Sequence, residues 1–424
     1  MNERRPRLLF LAYAFPPRNA AGSVRLWNIA KHLARQGWQV TVVALDPTLM
    51  RDPEGAEKVT ANLEQEGIRR LVTGHRWRCL SPKDLKCWDQ NLGWLAGGAC
   101  RTIARNLGIE KSVGWVSAAE RACSSLTPDD VDVILASGSP FVAFRVAKKL
   151  SERLGRPYVL DYRDPWTGNP HSSRASLVRT VEEETRLLES CAAVTIVSPS
   201  WGLALDQRYG VGRKLHVITN GYDPDEMAKV NANTFDHCAF VYTGVFYPPK
   251  RVISPFLAAL KRLDQSRDTG DKAWSFHYYG ADARHVREEA EHLGVSHRIV
   301  LHGRVSQREA VSAVKGANLA VVITSIEEEG MLADKGIVTG KIFEAIGVRT
   351  PVLLIAPKGS DAATTTETTG LVRSFTGTDV QGMALFLKDV VLGQVPEPKN
   401  VEAFSWGNIA KQLNVVLREV LSTN

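Results

Sequence analysis

The stretch from Gly340 to Gly359 constrains the fold most, because a helix-forming segment in it is followed directly by a short apolar run. Lys341 to Gly347 has its apolar residues on one side of a helix, and Pro351 ends that helix. Val352 to Ala356 is apolar at every position and has the length of a strand. A strand that is apolar throughout is typical of a parallel sheet covered by helices on both faces. The stretch therefore predicts an α/β fold.

Two charged side chains lie at the start of the same helix. Lys341 and Glu344 are three residues apart, so both can project from one face. A lysine at a helix N-terminus suits a bound phosphate, and a carboxylate one turn further on suits sugar hydroxyl groups. An ion pair within the helix explains the same spacing equally well.

Length and composition limit the class of protein. With 424 residues the chain is too long for one ordinary core, so two domains are expected. Its 44% hydrophobic and 23% charged content is that of a soluble globular protein. No apolar run approaches membrane-span length, and the first residues carry no convincing signal peptide. The six cysteines show no metal-ligand spacing, so we expect reduced thiols, no metal site and a cytoplasmic location.

Positive charge is concentrated in the first half of the chain. Residues 1–220 hold 31 basic against 22 acidic residues, whereas residues 221–424 hold 22 against 24. The basic half is therefore expected to face an anionic partner, which could be lipid headgroups, a phosphorylated acceptor or nucleic acid.

The first half begins with a unit typical of nucleotide-binding parallel sheets. A buried strand over Arg7–Ala14 is followed by small residues at 20–23, a helix over Val24–Gln36 and a second strand over Gln39–Leu45. The G-x-G-x-x-G fingerprint is absent, but the small residues would let a phosphate approach backbone N–H groups. Arg25, in the first helical turn, either adds charge to such a site or is simply a solvated arginine.

Aromatic and basic residues alternate between residues 70 and 125, the least regular part of the pattern. This mixture suits a membrane interface or an anionic lipid acceptor, and it would also suit nucleic acid. Tryptophans packed inside a helical insertion are an equally good explanation. The residues concerned are Trp77, Trp88, Trp94, Trp115, Arg76, Arg78, Lys83, Lys86, Arg101 and Arg105.

The segment Asp161–Trp166, with the sequence DYRDPW, follows a predicted strand that begins at Pro157. Charged residues just beyond the carboxyl end of a parallel strand lie where open α/β sheets bind ligands. We therefore favour a binding or catalytic role for Arg163 and Asp164 over a local ion-pair turn.

The chain changes from one α/β pattern to a second near its middle. Asn220-Gly221 and Pro224 mark a turn or hinge after a short strand. The alternation of strands and helices restarts at Ala239 and ends in a helix over Trp406–Leu421. We predict an N-terminal acceptor-binding domain over residues 1–215, a donor-binding domain over 216–400 and a C-terminal helix over 401–424.

Seven motifs follow one another along the chain: FPP with Arg25, DYRDPW, VSPSW, NGYD, YTG with a later Lys or Arg, HGRVS and KIFEAIGVRTPVLLI. None is specific alone, but in this order they resemble those of family 4 retaining glycosyltransferases of the GT-B fold over nearly the whole chain. The resemblance implies two Rossmann-like domains facing across a cleft, with the C-terminal helix crossing back to the first domain.

The resemblance also implies roles for particular residues. The glutamate of the last motif, here Glu344, holds the ribose hydroxyl groups of a nucleotide-diphosphate sugar. Lys250 or Arg251 neutralises the diphosphate, and the loop 303–305 flanks the base. The predicted catalytic residues are Asp164, Arg251 and Lys250. The predicted donor-binding residues are Gly22, Gly244, Gly303, Arg304, Val305, Lys341 and Glu344, and the predicted acceptor-binding residues are Arg25, Arg163 and Trp166.

Two positions depart from the family's pattern. The usual arginine directly after the glycine of YTG is replaced by Val245, and we take Arg251 as its substitute, with Lys250 next. The family's paired glutamates are only half present, because Gly336 stands eight residues before Glu344. Asp334 and Lys335 lie beside that glycine, and the acidic run 327–329 could supply the first acid only through a longer loop.

The resulting hypothesis is a retaining glycosyltransferase whose donor is a UDP- or GDP-linked sugar, used as a co-substrate with no other cofactor. The acceptor is either lipid-linked or a saccharide, and peripheral contact with an anionic membrane is expected, whereas nucleic acid is not. Two alternatives stay open. One is a nucleotide-sugar epimerase of similar architecture, and the other is a non-catalytic protein that binds nucleotides or polyanions.

Overall fold

The computed structural model describes residues 4–17, 22–49, 53–76, 102–104, 110, 112–168, 177–266, 270 and 272–423. The chain divides into two compact units. Unit 1 comprises Met1–Thr219 and Ile409–Asn424, and unit 2 comprises Asn220–Asn408.

Unit 1 is built on a parallel sheet with the strand order β3-β2-β1-β4-β5-β6-β7. Its central strands are apolar and buried at nearly every position, as expected for a sheet covered on both faces. The strands are β1 (Arg7–Leu11), β2 (Gln39–Leu45), β3 (Arg69–Thr73), β4 (Val133–Gly138), β5 (Tyr158–Tyr162), β6 (Ala193–Ile196) and β7 (Leu215–Val217). The helices are α1 (Ser23–Arg35), α2 (Pro53–Gln65), α3 (Val116–Ala122), α4 (Val142–Leu154), α5 (Leu177–Ser190) and α6 (Pro199–Tyr209).

Unit 2 has a second parallel sheet, with the strand order β10-β9-β8-β11-β12-β13. The strands are β8 (Cys238–Thr243), β9 (Trp274–Tyr279), β10 (Ile299–Gly303), β11 (Leu319–Ile323), β12 (Val352–Ile355) and β13 (Val372–Phe375). The helices are α7 (Pro224–Ala228), α8 (Ser254–Gln265), α9 (Ala283–Leu293), α10 (Gln307–Gly316), α11 (Leu332–Lys335), α12 (Gly340–Gly347), α13 (Asp361–Thr366) and α14 (Val380–Val391).

Two apolar layers hold the sheet of unit 2 between its helices. One face packs against α8, α9 and α14, and the other packs against α10 and α12. Strand β12 contributes to both layers, because its successive side chains alternate between the two faces while all four are buried. The apolar run 352–356 therefore forms an interior strand of the sheet, and the prediction of parallel α/β units is confirmed.

Helix α15 (Trp406–Thr423) ends the chain, and its residues from Ile409 onward belong to unit 1. Its apolar side chains at 409, 413, 416, 417 and 420 are buried. The indole Nε1 of Trp38, in unit 1, donates a hydrogen bond to Asn414 Oδ1 at 2.7 Å. The predicted return of the last helix to the first half of the chain is thus confirmed.

Each sheet has two edge strands, and the sequence patterns do not predict one of them in each sheet, β3 and β13. Strand β3 contains Arg69 and Arg70, and β13 contains Arg373 and Ser374, so neither has the continuous apolar run of the central strands. An edge strand is exposed on one side, and its hydrophobic pattern is correspondingly weak. Pairing with β2 and β12 makes these segments strands.

Candidate functional site

The carboxyl end of β8 brings the chain to Gly244, which has a backbone φ of +129°. An added Cβ at this position would lie 2.7 Å from Cε and 2.8 Å from Nζ of Lys341. Glycine is therefore required here for two reasons: the backbone conformation and the close approach of the lysine. The arrangement places the Lys341 ammonium directly against the backbone where β8 ends.

Arg251 lies in the same loop and has an incompletely bonded guanidinium. Its backbone exchanges two hydrogen bonds with Tyr247, at 2.9 and 3.0 Å, and the guanidinium carbon lies 5.1 Å from the centre of the Tyr247 ring. Nε of Arg251 is buried and has no hydrogen-bond partner within the described ranges. A buried donor without a partner costs stability, so a ligand that accepts from it would recover that cost.

The pKa of Lys341 is lowered from 10.5, first because burial removes the ammonium from water and further because Arg251 is a neighbouring cation. Glu344 opposes this shift by favouring the charged form. In the part of the chain that the structure describes, Lys341 Nζ forms no hydrogen bond or salt bridge. The loop after β8 and the first turn of α12 thus hold two cations close enough for Arg251 to lower the pKa of Lys341. Within the described residues, neither Arg251 Nε nor Lys341 Nζ forms a hydrogen bond.

Helix α12 adds a third favourable element for an anion. Thr339 is its N-cap, but the hydroxyl makes no capping bond, and Oγ1 is buried without a partner among the described residues. Gly340 has open space where a side chain would be, and the first turn contains no acidic residue. Free N–H groups at a helix start carry partial positive charge and bind phosphates. The sequence reasoning missed Thr339, although Thr is a typical N-cap residue.

Lys250 differs sharply from its neighbour Arg251. Its Nζ donates to both carboxylate oxygens of Asp334, at 2.9 and 2.8 Å. The Asp334 side chain is only 3% exposed, whereas the Lys250 side chain is 37% exposed, so protein encloses the carboxylate of this ion pair and water reaches the lysine. Of the two basic residues predicted for the diphosphate, Arg251 is the one whose guanidinium still has an N–H group available to a ligand. Asp334, which lies beside the expected position of the missing first glutamate, is committed to Lys250.

The remaining predicted donor residues are close to this site in the fold of unit 2. Glu344 lies one turn into α12 and accepts a hydrogen bond from Gln307 Nε2 at 2.9 Å. Gly303 ends β10 with φ +70°, Arg304 is exposed, and Val305 packs against the apolar layer under α12. Glu344 and the loop 303–305 are therefore linked through the first residue of α10.

The predicted acceptor residue Arg25 is instead a buried structural residue of unit 1. It is 2% exposed, and its guanidinium pairs with Asp161 at 2.7 Å (Nη2 to Oδ1) and 3.2 Å (Nε to Oδ2). It also donates to the carbonyl oxygens of Ile218 and Thr219. Despite burial, the pKa of Asp161 is lowered by Arg25 and by bonds from the Ser137 and Thr195 hydroxyls. This network explains Arg25 without a ligand.

Gly22 and Arg163 are brought together at the carboxyl edge of the unit 1 sheet. Arg163 Nε donates to the carbonyl oxygen of Gly138 at 2.9 Å, and Nη2 donates to that of Ser139. A side chain at Gly22 would overlap the Arg163 guanidinium. Gly22 was predicted to bind the donor and Arg163 the acceptor. In this structure Gly22 leaves room for the Arg163 guanidinium, which is held by backbone carbonyl oxygens.

Asp164 and Trp166 follow on the same edge. The Asp164 side chain is exposed, and the Trp166 ring is partly exposed. Trp166 stacks on Phe141 with 4.9 Å between ring centres and 5° between planes, and its edge faces Phe144. The ring is therefore held in one orientation at the sheet edge.

Most of the Trp- and Arg-rich segment predicted to contact an anionic partner lies outside the described residues. Trp115 is described, and it is a core residue: it is fully buried, and its Nε1 donates to the Thr73 hydroxyl at 2.6 Å. Among the described helices, none is long and apolar enough to cross a membrane. Within the same described ranges, no three His, Cys, Asp or Glu side chains are grouped so as to hold a metal ion.

Three histidines form a hydrogen-bonded row behind the loop 303–305. His237 Nε2 and His277 Nε2 are 2.8 Å apart, and His277 Nδ1 and His302 Nε2 are 2.9 Å apart. Tyr279 stacks on the His302 ring at 4.0 Å. Burial and the two neighbouring imidazoles lower the pKa of His277 to about 4, while Asp236 acts in the opposite direction.

Acid is expected to destabilise unit 2 through His277. Because its folded pKa lies below the ordinary 6.5, the unfolded chain binds the proton more readily, so stability is lost as pH falls from about 6.5 to about 4. The full loss is on the order of 3 kcal/mol. Urea unfolding at pH 7.5 and pH 5 should show a smaller pH effect in His277→Gln than in wild type. The exposed His292→Gln is the control, and an equal pH effect in all three proteins would contradict the assignment.

Comparison with known proteins gives one family match. Residues 22–226 match the model described as Glycosyltransferase Family 4. A search of curated proteins found no match.

Solved structures share the fold over nearly the whole chain. A glycosyltransferase from Rickettsia africae has a TM-score of 0.62 at 14% identity, covering 99% of this chain and 100% of that one. A sucrose-phosphate synthase from Thermosynechococcus elongatus has a TM-score of 0.60 at 14% identity, covering 99% and 100%. Anabaena Alr3699/HepE, solved with UDP and glucose, has a TM-score of 0.59 at 16% identity, covering 98% and 100%. The shared fold and the family match together support a glycosyltransferase.

Proposed function

We propose, from the confirmed resemblance to family 4 glycosyltransferases of the GT-B fold, that this protein transfers a sugar from a nucleotide-diphosphate sugar to an acceptor. One observation carries the proposal for unit 2: Lys341 lies against the backbone of Gly244 at the start of α12, which has no side-chain cap, and Arg251 in the loop after Gly244 has a buried Nε without a partner among the described residues. A diphosphate is the ligand that would accept from both cations and from the helix N–H groups at once.

The same groups supply the chemistry that the reaction needs. When the bond between the sugar and the diphosphate breaks, negative charge grows on the leaving phosphate oxygen. Fixed cations and N–H groups that already point at this position stabilise the charge without rearrangement. Arg251 can grip the diphosphate with two parallel N–H bonds, and Lys341 contributes a point charge. We therefore assign leaving-group stabilisation to these two residues.

The nucleoside is assigned to the groups on either side of α12. The Glu344 carboxylate already accepts one hydrogen bond, from Gln307 Nε2. A carboxylate has further acceptor sites, so Glu344 can also accept from ribose hydroxyl groups. The loop 303–305 offers backbone groups for the base. HepE was solved with UDP, and a uracil nucleotide is accordingly the first donor to test, with a guanine nucleotide second.

The acceptor is assigned to the carboxyl edge of the unit 1 sheet. Trp166 presents a fixed aromatic ring, and Asp164, two residues earlier on the same edge, is exposed. An aromatic ring and a carboxylate on one edge suit a saccharide, whose C–H faces pack on the ring and whose hydroxyls donate to the acid. Transfer with retention of the anomeric configuration, and peripheral contact with an anionic membrane, complete the proposal.

A nucleotide-sugar panel tests this function directly. Thermal shifts are measured with UDP, UDP-glucose, GDP and GDP-mannose, since a ligand at one hundred times its Kd adds about 2.7 kcal/mol of stability. Donors that bind are then incubated with saccharide and lipid-linked acceptors, and NMR gives the anomer of the product. Epimerised donor without transfer would favour the epimerase alternative. Binding of nucleotide without either reaction would favour the non-catalytic alternative.

Glu344→Ala is expected to weaken donor binding with little change in the fold. Losing a charged hydrogen bond to ribose should cost about 1.5–3 kcal/mol, or roughly 10- to 150-fold in Kd. Calorimetry with UDP measures this loss, and Glu288→Ala, which removes an exposed carboxylate in α9, is the control. Equal UDP affinity in wild type and Glu344→Ala would exclude Glu344 from the ribose site.

A further inference from the structure

Lys250 and Asp334 connect the two loops from which the anion site of unit 2 is built. Lys250 belongs to the loop after β8, and Asp334 lies in α11, within the loop after β11. The ammonium contacts both oxygens of the carboxylate at 2.9 and 2.8 Å. The Lys250 backbone adds a second link, because its carbonyl oxygen accepts from the N–H of Ile326 at 2.7 Å.

One cation of the site follows each member of this pair along the chain, Arg251 in the same loop as Lys250 and Lys341 in the first turn of α12. Arg251 follows Lys250 directly, so a shift of Lys250 moves the backbone that holds the guanidinium. Lys341 follows Asp334 after α11 and the N-cap Thr339. The N–H of Ile337 donates to the Asp334 carbonyl oxygen at 3.2 Å, which ties the connecting segment to α11.

We propose that Lys250 and Asp334 are positioning residues: their ion pair holds Arg251 and Lys341 at the separation that a diphosphate requires, and Lys250 does not itself bind the diphosphate. This inference rests on the proposed function of the site. The charge of Lys250 is already balanced by a carboxylate that is 3% exposed, whereas Arg251 Nε has no partner among the described residues. Separating the pair would leave a buried carboxylate without its cation, which proteins disfavour strongly.

The two roles of Lys250 predict opposite results for Asp334→Asn. If Lys250 were a diphosphate ligand, the substitution would free its ammonium and remove a nearby negative charge, and anion affinity would rise. If the pair positions the loops, the loops loosen and affinity falls. We expect Kd values for UDP and for inorganic pyrophosphate to rise about 5- to 30-fold in calorimetry at a temperature where the protein is folded.

Together with Asp334→Asn, the variants Lys250→Met and Lys250→Met/Asp334→Asn form a double-mutant cycle. All three variants should lose about the same affinity, because each breaks the same pair. The double variant contains no unpaired buried charge, so it reports affinity even if a single variant folds poorly. Glu226→Gln, which breaks the exposed pair with Lys229, is the matched control and should bind like wild type.

Three outcomes would overturn the positioning role: tighter binding by Asp334→Asn, additive losses in the double variant, or wild-type affinity in folded single variants. Failure of the proposed function is a separate result, in which wild type binds neither UDP, UDP-glucose nor pyrophosphate. In that case hydrogen exchange of the amides at 326–339 decides. Faster exchange in Asp334→Asn and Lys250→Met would support the role of the ion pair in holding the two loops together, and unchanged exchange would refute it.

Discussion

Arg251→Ala is expected to lower kcat/KM for sugar transfer by about 100- to 1000-fold, the usual effect of removing one fixed donor to a developing negative charge. The reason is that Arg251 Nε is buried without a partner among the described residues, and a guanidinium can hold a diphosphate through two parallel bonds. Lys250→Ala should have a smaller effect, because Lys250 acts on the site only through Asp334.

Steady-state kinetics with the donor identified in the binding panel measures this prediction. Arg284→Ala is the control, since Arg284 is exposed on α9 and pairs only with its helical neighbour Glu288 among the described residues. Arg251→Lys should be more active than Arg251→Ala, because lysine restores the charge but cannot form two parallel hydrogen bonds to the diphosphate. A larger loss in Lys250→Ala than in Arg251→Ala would identify Lys250 as the diphosphate ligand.

Lys341→Met is expected to change binding and stability in opposite directions. UDP affinity should fall by roughly 10- to 150-fold, the range for a hydrogen bond to a charged group. The ligand-free protein should become more stable, because the lowered pKa of Lys341 means that the folded state disfavours its charge. Methionine keeps the length of the side chain and removes the ammonium from its site beside Arg251.

The pH dependence of the stability gain provides an independent check. A lysine whose folded pKa is lowered destabilises the protein while it is protonated in the unfolded state, so the gain from Lys341→Met should shrink as pH rises toward 10.5. Differential scanning calorimetry without ligand measures the gain, and the exposed Lys358→Met is the control. A lower Tm in Lys341→Met would mean that the ammonium is well paired in the free protein.

Local patterns in the sequence were sufficient for much of the fold. The helix α12 and the strand β12 follow from apolar spacing and Pro351, and the same reasoning yields the central strands of both sheets. Edge strands such as β3 were missed, because arginines at 69 and 70 interrupt the apolar pattern and only pairing with β2 makes the segment a strand. Periodicity reports which side chains are buried, and it is weakest where one side of a strand is open.

The sequence by itself determined that Lys341 and Glu344 lie at the start of a helix that is followed by a buried strand, since both facts depend on neighbours within a few residues. It could not separate Lys250 from Arg251, which are adjacent and carry the same charge. The tertiary structure separates them, because Asp334, 84 residues away, pairs with Lys250. The structural role of Arg25 likewise depends on Asp161, 136 residues away. Pairing of charges depends on which loops the sheets bring together, and that information is not contained in local spacing.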